Sequence, residues 1–485
     1  MSTAVIMGFV VAGAATAGRL GIKAFQEYQK LPKTPRMSKF YKGGFDAKMN
    51  KREAALILGV RESAATKQKI KEAHRRIMLL NHPDRGGSPF LALKINEAKE
   101  FLDTKATNPT ETKKVTEPVV LDISDSNVQT KYKDAGKIAD DVLDKVIKLC
   151  VVDAKIIDIC IEGDKAITEA TNAIYNKKGK NKISKGIGFP TTVSVNNCVA
   201  HFTPIPSDPE AATTLKEGDV AKIQLGVQFD GYCSTVATTI VVGAKGPVTG
   251  PKADVIKAAE TALEATLRMI RPGNKNMDVT KTVDKIAEAY GVKAVEGMLS
   301  HNQLKDKTDG EKQIILNPTD NHLRDFKRIE FAENEVYAVD ILISTGEGKV
   351  RPLKTRTTIY KKTGIRYQLK MAASRAVLSE IQTKAGAFPF SLRDLEDERK
   401  ARMGIVEAAK HQTVLPYDVM YERDEAVVAQ YLATVMVTKK GNTLLTHPRY
   451  DAVDAQSDKS VKDEEIVKLL ATTYEAPKKE KKEKK

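Results

Sequence analysis

At 485 residues the chain is too long for one ordinary domain and sets an expectation of two or three. Its 41% hydrophobic and 29% charged residues exclude a disordered chain, and four scattered cysteines with no CxxC or Cys/His pairing exclude a disulfide framework or a structural zinc site. The net charge of +16 lies at the ends: residues 1–106 carry 20 Lys/Arg against 9 Asp/Glu, and Lys478 to Lys485 adds six lysines against two glutamates, so the long middle is close to neutral and overall basicity does not make it a nucleic-acid binder.

In chain order, Met1 to Gly18 holds no charge, and with Leu20 and Ile22 the apolar run reaches the length of a membrane span. Gly8, Ala12, Ala14 and Gly18 are spaced for close helix contact inside a bilayer. The competing reading is a cleaved signal peptide, with Ala12-Gly13-Ala14 and Ala15-Thr16-Ala17 as small-residue cleavage sites but no basic segment in front. Arg19, Lys23, Lys30, Lys33 and Arg36 all follow the run, which predicts that the rest of the chain stays on the cytoplasmic side or its organellar equivalent.

Periodicity predicts helices over Lys51 to Leu58, Thr66 to Leu80 and about Phe90 to Leu102, with the break at Asn81 to Pro89. Ile70, Ala73, Ile77 and Leu80 line one face of the second helix, while Lys67, Lys69, Lys71, Arg75 and Arg76, with His74, make a basic face. Thr104 to Pro118 reads as a polar linker. Beyond it, helices over Asp134 to Cys150, Ala154 to Asn176 and Ala253 to Ile270 alternate with strands over Thr191 to Val195, Val220 to Gln228, Tyr232 to Val242 and Val336 to Ser344, an α+β pattern. Cys150, Cys160, Cys198 and Cys233 are expected to be reduced, buried thiols.

His82-Pro83-Asp84 alone could be a turn. Its setting, from Gly43-Gly44-Phe45 through Lys51 to Gly59 and on to Ala73 through Pro89, with Lys94-Ile95-Asn96-Glu97-Ala98 after it, resembles the J-domain subunit of the mitochondrial presequence-translocase import motor. The likeness covers nearly all of residues 1–103. It implies an all-α J-domain held by a transmembrane helix in the inner mitochondrial membrane, facing the matrix, that stimulates ATP hydrolysis by a DnaK-type chaperone and pairs with a degenerate J-like subunit of the translocase. His82, Pro83, Asp84 and the basic face at Lys67, Lys69, Lys71, Arg75 and Arg76 are then the chaperone contacts.

A second likeness covers about Asp122 to Leu470. Asn196 to Pro204, Leu215 to Val220, Tyr337-Ala338-Val339-Asp340, Lys185 to Thr192, Glu296 to His301 and Arg356 to Tyr360 resemble the type 2 methionine aminopeptidases, and among them the proliferation-associated, growth-factor-receptor-binding branch. This implies an α+β pita-bread domain with a helical insertion at about 367–417. Active members hold two metal ions with two Asp, one His and two Glu; the matching positions here are Gln224, Thr235, His301, Asp340 and Leu432, so no metal, cofactor or catalytic group is expected. His201 and His301 are expected to be ordinary pocket or core residues. The branch is implied to bind ribosomes and structured RNA, with Lys177, Lys178, Lys180, Lys182, Lys185, Lys478, Lys479, Lys481 and Lys482 as candidate phosphate contacts.

The expected organisation is multidomain: anchor 1–22, basic segment and J-domain 23–106, linker 107–121, aminopeptidase-like domain 122–470 and basic tail 471–485. The two resemblances imply different compartments, the mitochondrial inner membrane for one, cytosol and nucleolus for the other. Either the anchor carries the large domain with it, or the leader is misattached to a ribosome- and RNA-binding scaffold.

Overall fold

The computed structural model describes residues 49–61, 67–81, 87–105, 122–176 and 183–474. The predicted anchor, His82-Pro83-Asp84, Lys177, Lys178, Lys180, Lys182 and the lysines of the tail lie outside them. Among the described residues no helix is long and apolar enough to cross a membrane. The chain divides into two compact units, residues 1–117 and 118–485.

The smaller unit contributes α1 (Lys51–Leu58), α2 (Lys67–Asn81) and α3 (Pro89–Lys105), with α3 packed on both others. Asn50 caps α1 by accepting from the Glu53 amide, and Gly59 ends it at φ 63, a left-handed conformation that glycine adopts without a Cβ clash. Ala54, Leu58, Ile70, Ala73, Ile95, Ala98 and Leu102 form the core. Lys69, Lys71, Arg75 and Arg76 are exposed, as the basic-face reading expects. His74 departs from it: its Nε2 lies 2.8 Å from Asn96 Oδ1, so this ring ties α2 to α3.

The larger unit begins with α4 (Ser126–Leu149) and α5 (Ile156–Ala173), followed by strands β1 (Lys185–Val195), β2 (Cys198–Ala200), β3 (Val220–Phe229) and β4 (Tyr232–Val241). Next come α6 (Pro251–Met269), α7 (Asn276–Tyr290), β5 (Lys293–Ala294), β6 (Leu299–Gln303), β7 (Gln313–Ile315), α8 (Asp320–Asp325), β8 (Glu335–Ser344) and β9 (Arg351–Pro352). The remainder is β10 (Ile359–Lys362), α9 (Ala372–Lys384), β11 (Pro389–Ser391), α10 (Glu398–Lys410), β12 (Val414–Tyr417), β13 (Met420–Tyr421), β14 (Val428–Thr438), β15 (Gly441–Leu444) and α11 (Glu464–Leu470).

The main sheet has the order β1-β3-β4-β14-β8-β6-β7, with β15 on β14 and β5 on β8, and every pair is antiparallel. Helices α4, α5 and α6 pack on these strands, and α7 packs on α6. The approach is close enough at Gly136 that a Cβ would sit 1.9 Å from the Leu445 carbonyl oxygen, so only glycine fits there. A smaller sheet, β11-β10-β12, and the pair α9 and α10 share a separate apolar core of Ile205, Tyr360, Val377, Ile381, Phe390 and Leu392 among others. Of these elements α9, β11, α10 and β12 fall within residues 367–417, whereas β10, Ile205 and Tyr360 precede them in the chain. All four cysteines are free and buried, as expected.

Candidate functional site

Alternate residues of a strand face the same side, so register decides which side chains meet. Gln224 pairs with Ala237, Gly226 with Thr235, Leu432 with both Ala237 and Asp340, and His301 with Ala338. Gln224, Thr235, Leu432, Asp340 and His301 therefore share one face of the main sheet. Strand β14, absent from the sequence reading, supplies the centre of this face through Gln430, Leu432 and Thr434.

Gln430 is the residue that sequence reasoning missed. Its Nε2 donates to Asp340 Oδ1 at 2.9 Å and Oδ2 at 3.1 Å, and to Gln224 Oε1 at 3.3 Å, so one carboxamide joins β3, β8 and β14. Thr434 accepts from the Thr235 amide at 2.9 Å and donates to the Thr235 carbonyl at 2.8 Å. The period-two spacing of Gln430 and Thr434 inside the apolar run Val427 to Val437 was the available signal. Lys222 lies on the same face, fully buried; burial lowers its pKa to about 7, and its ammonium donates to the carbonyls of Asn196 (2.9 Å) and Val428 (3.1 Å).

Burial pushes the Asp340 carboxyl up to about 7, only partly opposed by the Gln430 hydrogen bond. The His301 imidazole is held below its usual range by burial, and its Nδ1–H donates to the Gly310 carbonyl at 3.2 Å. His201, at φ 68, donates from Nδ1 to the Asp418 carbonyl and packs edge-on to Tyr417 and tilted against Phe189.

Two hard divalent cations need several anionic oxygens. This face offers one carboxylate that protonates near neutrality, one imidazole, amide and hydroxyl oxygens, and at Leu432 no ligand atom. Among the described residues no group of three or more His, Cys, Asp or Glu is arranged for a metal. The donor set does not fit the two-metal centre.

A model of metallopeptidase family M24 matches residues 130–367. Curved DNA-binding protein of Schizosaccharomyces pombe is 48% identical over 379 residues, 77% of this chain and 98% of that protein. A model of the TIM14 N-terminal transmembrane region matches residues 2–29, and mitochondrial import inner membrane translocase subunit TIM14-2 of Arabidopsis thaliana is 60% identical over 108 residues, 22% of this chain and 96% of that protein. The chain belongs to both families, TIM14 at its N-terminal end and M24 beyond it. A thermophilic Arx1 structure superposes with a TM-score of 0.69 at 36% identity, covering 73% of this chain and all of that one, so the M24 unit has the pita-bread fold.

In the M24 unit, Lys185 is the one predicted RNA contact among the described residues. Its ammonium donates to the Ile174 carbonyl at 2.6 Å and Asn176 Oδ1 at 2.7 Å, which ties the start of β1 to the segment that follows α5. The M24 site also predicts a pH dependence. With its folded pKa near 7 and an unfolded value near 3.8, Asp340 keeps a proton that the unfolded chain has lost, so its stabilising contribution is full below about pH 4 and declines as pH rises through 7. Asp340→Asn is expected to remove roughly 1.4 kcal/mol of that decline per pH unit within the window. Urea unfolding at pH 5 and pH 8 checks it: the variant should gain on the parent at pH 8.

Proposed function

We propose that this chain is a membrane-anchored J-domain co-chaperone for mitochondrial protein import, joined to an M24 unit that binds ribosomes or structured RNA and cleaves nothing. The match that spans 96% of TIM14-2 carries the first half, because it reaches from the transmembrane region through the segment holding His82-Pro83-Asp84. In this reading residues 1–22 cross the inner membrane and the remainder faces the matrix. The exposed Lys69, Lys71, Arg75 and Arg76 steer the unit toward an acidic surface of a DnaK-type chaperone, and a J-like subunit links it to the presequence translocase.

The donor set supports the second half, since one carboxylate and one imidazole are too few to hold two metals and the water between them. Phosphate contacts need only lysines, and those at 177, 178, 180, 182, 478, 479, 481 and 482 are the proposed ones, with Lys185 engaged by the Ile174 carbonyl. A second reading, a cytosolic and nucleolar scaffold with a misattached leader, draws on the M24 unit alone covering 98% of a relative named for binding DNA.

Antibodies against each unit separate the two readings. A single species of 53.3 kDa, resistant to carbonate extraction from mitochondria, is expected; two smaller species, or release of the intact chain, would sink the fusion. RNA binding should weaken with salt, and removing Lys478 to Lys485 should lower the slope of log affinity against log salt by roughly 0.7–0.9 for each phosphate that the tail neutralises in the parent. Stoichiometric metal together with release of N-terminal methionine would overturn the non-catalytic reading.

A further inference from the structure

Lys361, on the central strand of the β11-β10-β12 sheet, has no part in either proposed activity. Its side chain is only 8% exposed, and its ammonium is 2.5 Å from Asp309 Oδ1 and 3.2 Å from Thr308 Oγ1. Asp309 belongs to the loop between β6 and β7, next to the Gly310 carbonyl that grips His301, and is 42% exposed. The ion pair thus joins the β11-β10-β12 sheet to the edge of the main sheet beside the face described above. The charge of Lys361 acts on His301 and on Cys233, which lies on that face two residues from Thr235.

The remaining groups here are neutral near pH 7. Burial drives the Cys233 thiol up to about 12 and the Tyr417 hydroxyl higher still, and it lowers the His301 imidazole. Each is therefore a hydrogen-bond donor rather than a competing anion. A buried ammonium needs an anion. The one that touches it comes from a partly exposed loop, which can swing away without dismantling a strand.

We propose that Lys361 is an oxyanion-binding group where the β11-β10-β12 sheet meets the loop between β6 and β7, and that Asp309 is an internal carboxylate holding it until a ligand carboxylate or phosphate takes its place. Because the internal carboxylate competes at the high effective concentration of a tethered group, the intact chain binds such a ligand weakly. Removing the competitor should expose the intrinsic affinity.

The test titrates the full-length chain with inorganic phosphate or with acetate at constant ionic strength, by calorimetry and by amide hydrogen exchange. Asp309→Asn is expected to bind phosphate at least about tenfold more tightly than the parent, and the double variant Asp309→Asn/Lys361→Met to lose that gain, which separates this site from the tail lysines. Acetate acting as well as phosphate marks a carboxylate ligand; phosphate acting alone marks a phosphoryl group. In the parent, saturating phosphate should speed exchange at residues 304–310 as Asp309 is released, and should not do so in Lys361→Met. Equal phosphate binding by Asp309→Asn and the double variant would overturn the proposal. Should Asp309→Asn fail to fold in dilute buffer, recovery by phosphate but not chloride supports it, and an unmoved 304–310 loop in the parent refutes it.

Discussion

A His82→Gln chain is expected to fold as the parent does and to leave the ATPase of a DnaK-type chaperone at its unstimulated rate. The packing explains why folding should survive. The core of the smaller unit is built from Ala54, Leu58, Ile70, Ala73, Ile95, Ala98 and Leu102, all on α1, α2 and α3, and His74 with Asn96 adds a polar tie between α2 and α3. A glutamine at 82 leaves every one of those core side chains in place. The exposed basic residues of α2 are untouched, and encounter with an acidic chaperone surface should persist with its salt dependence. Steering without stimulation is the expected signature: binding still detectable at low salt, single-turnover hydrolysis at the basal rate, and an unchanged far-ultraviolet circular dichroism spectrum. Full stimulation by the variant would mean that the motif is not the working contact.

How much of this was legible varies with the kind of signal. Helix α1 was predicted from periodicity with its observed limits, and in the structure Asn50 and Gly59 fix its two ends. Helix α4 begins at Ser126, eight residues before the predicted Asp134, since Asp125 caps it by accepting from the Asn127 amide and Val128 and Tyr132 extend the buried stripe. A polar stretch of Asp, Ser, Asn and Gln hid that start. Strand β1 runs from Lys185, before the predicted Thr191, and its register shifts around Phe189 and Pro190 accommodate a residue that cannot donate to the ladder. Gln224, Thr235, His301, Asp340 and Leu432 come from five separate strands, and only the pairing of β3, β4, β6, β8 and β14 puts them on one face. Composition and periodicity carry no such information; family likeness did. Gln430 escaped both, because a lone amide in an apolar run acquires meaning only from the partners opposite it.

Arg393→Met is expected to destabilise the M24 unit by about 3–5 kcal/mol, the range for leaving one member of a buried ion pair alone. Arg393 comes from the insertion, directly after β11, and Asp164 from α5 in the main body; each side chain is only 8% exposed and the two form a direct ion pair. The second guanidinium nitrogen donates to Thr203 Oγ1 at 2.6 Å and to the Pro204 carbonyl at 3.2 Å, while the other Asp164 oxygen accepts from the Thr191 amide at 2.7 Å. A methionine fills the volume but offers no donor, so Asp164 would be left in a buried site without its ion-pair partner. Asp164→Asn in the same chain should recover a large part of the loss, because the amide still accepts from Thr191 and carries no charge to strand. Urea unfolding of the parent, the single variant and the double variant gives the three numbers. The loss should be accompanied by faster amide exchange in α9 and α10, since the pair anchors the insertion to the body that carries the site. A loss below about 1 kcal/mol would instead assign that anchoring to the apolar cluster around Ile205, Tyr360 and Phe390, and would make the charged pair incidental to it.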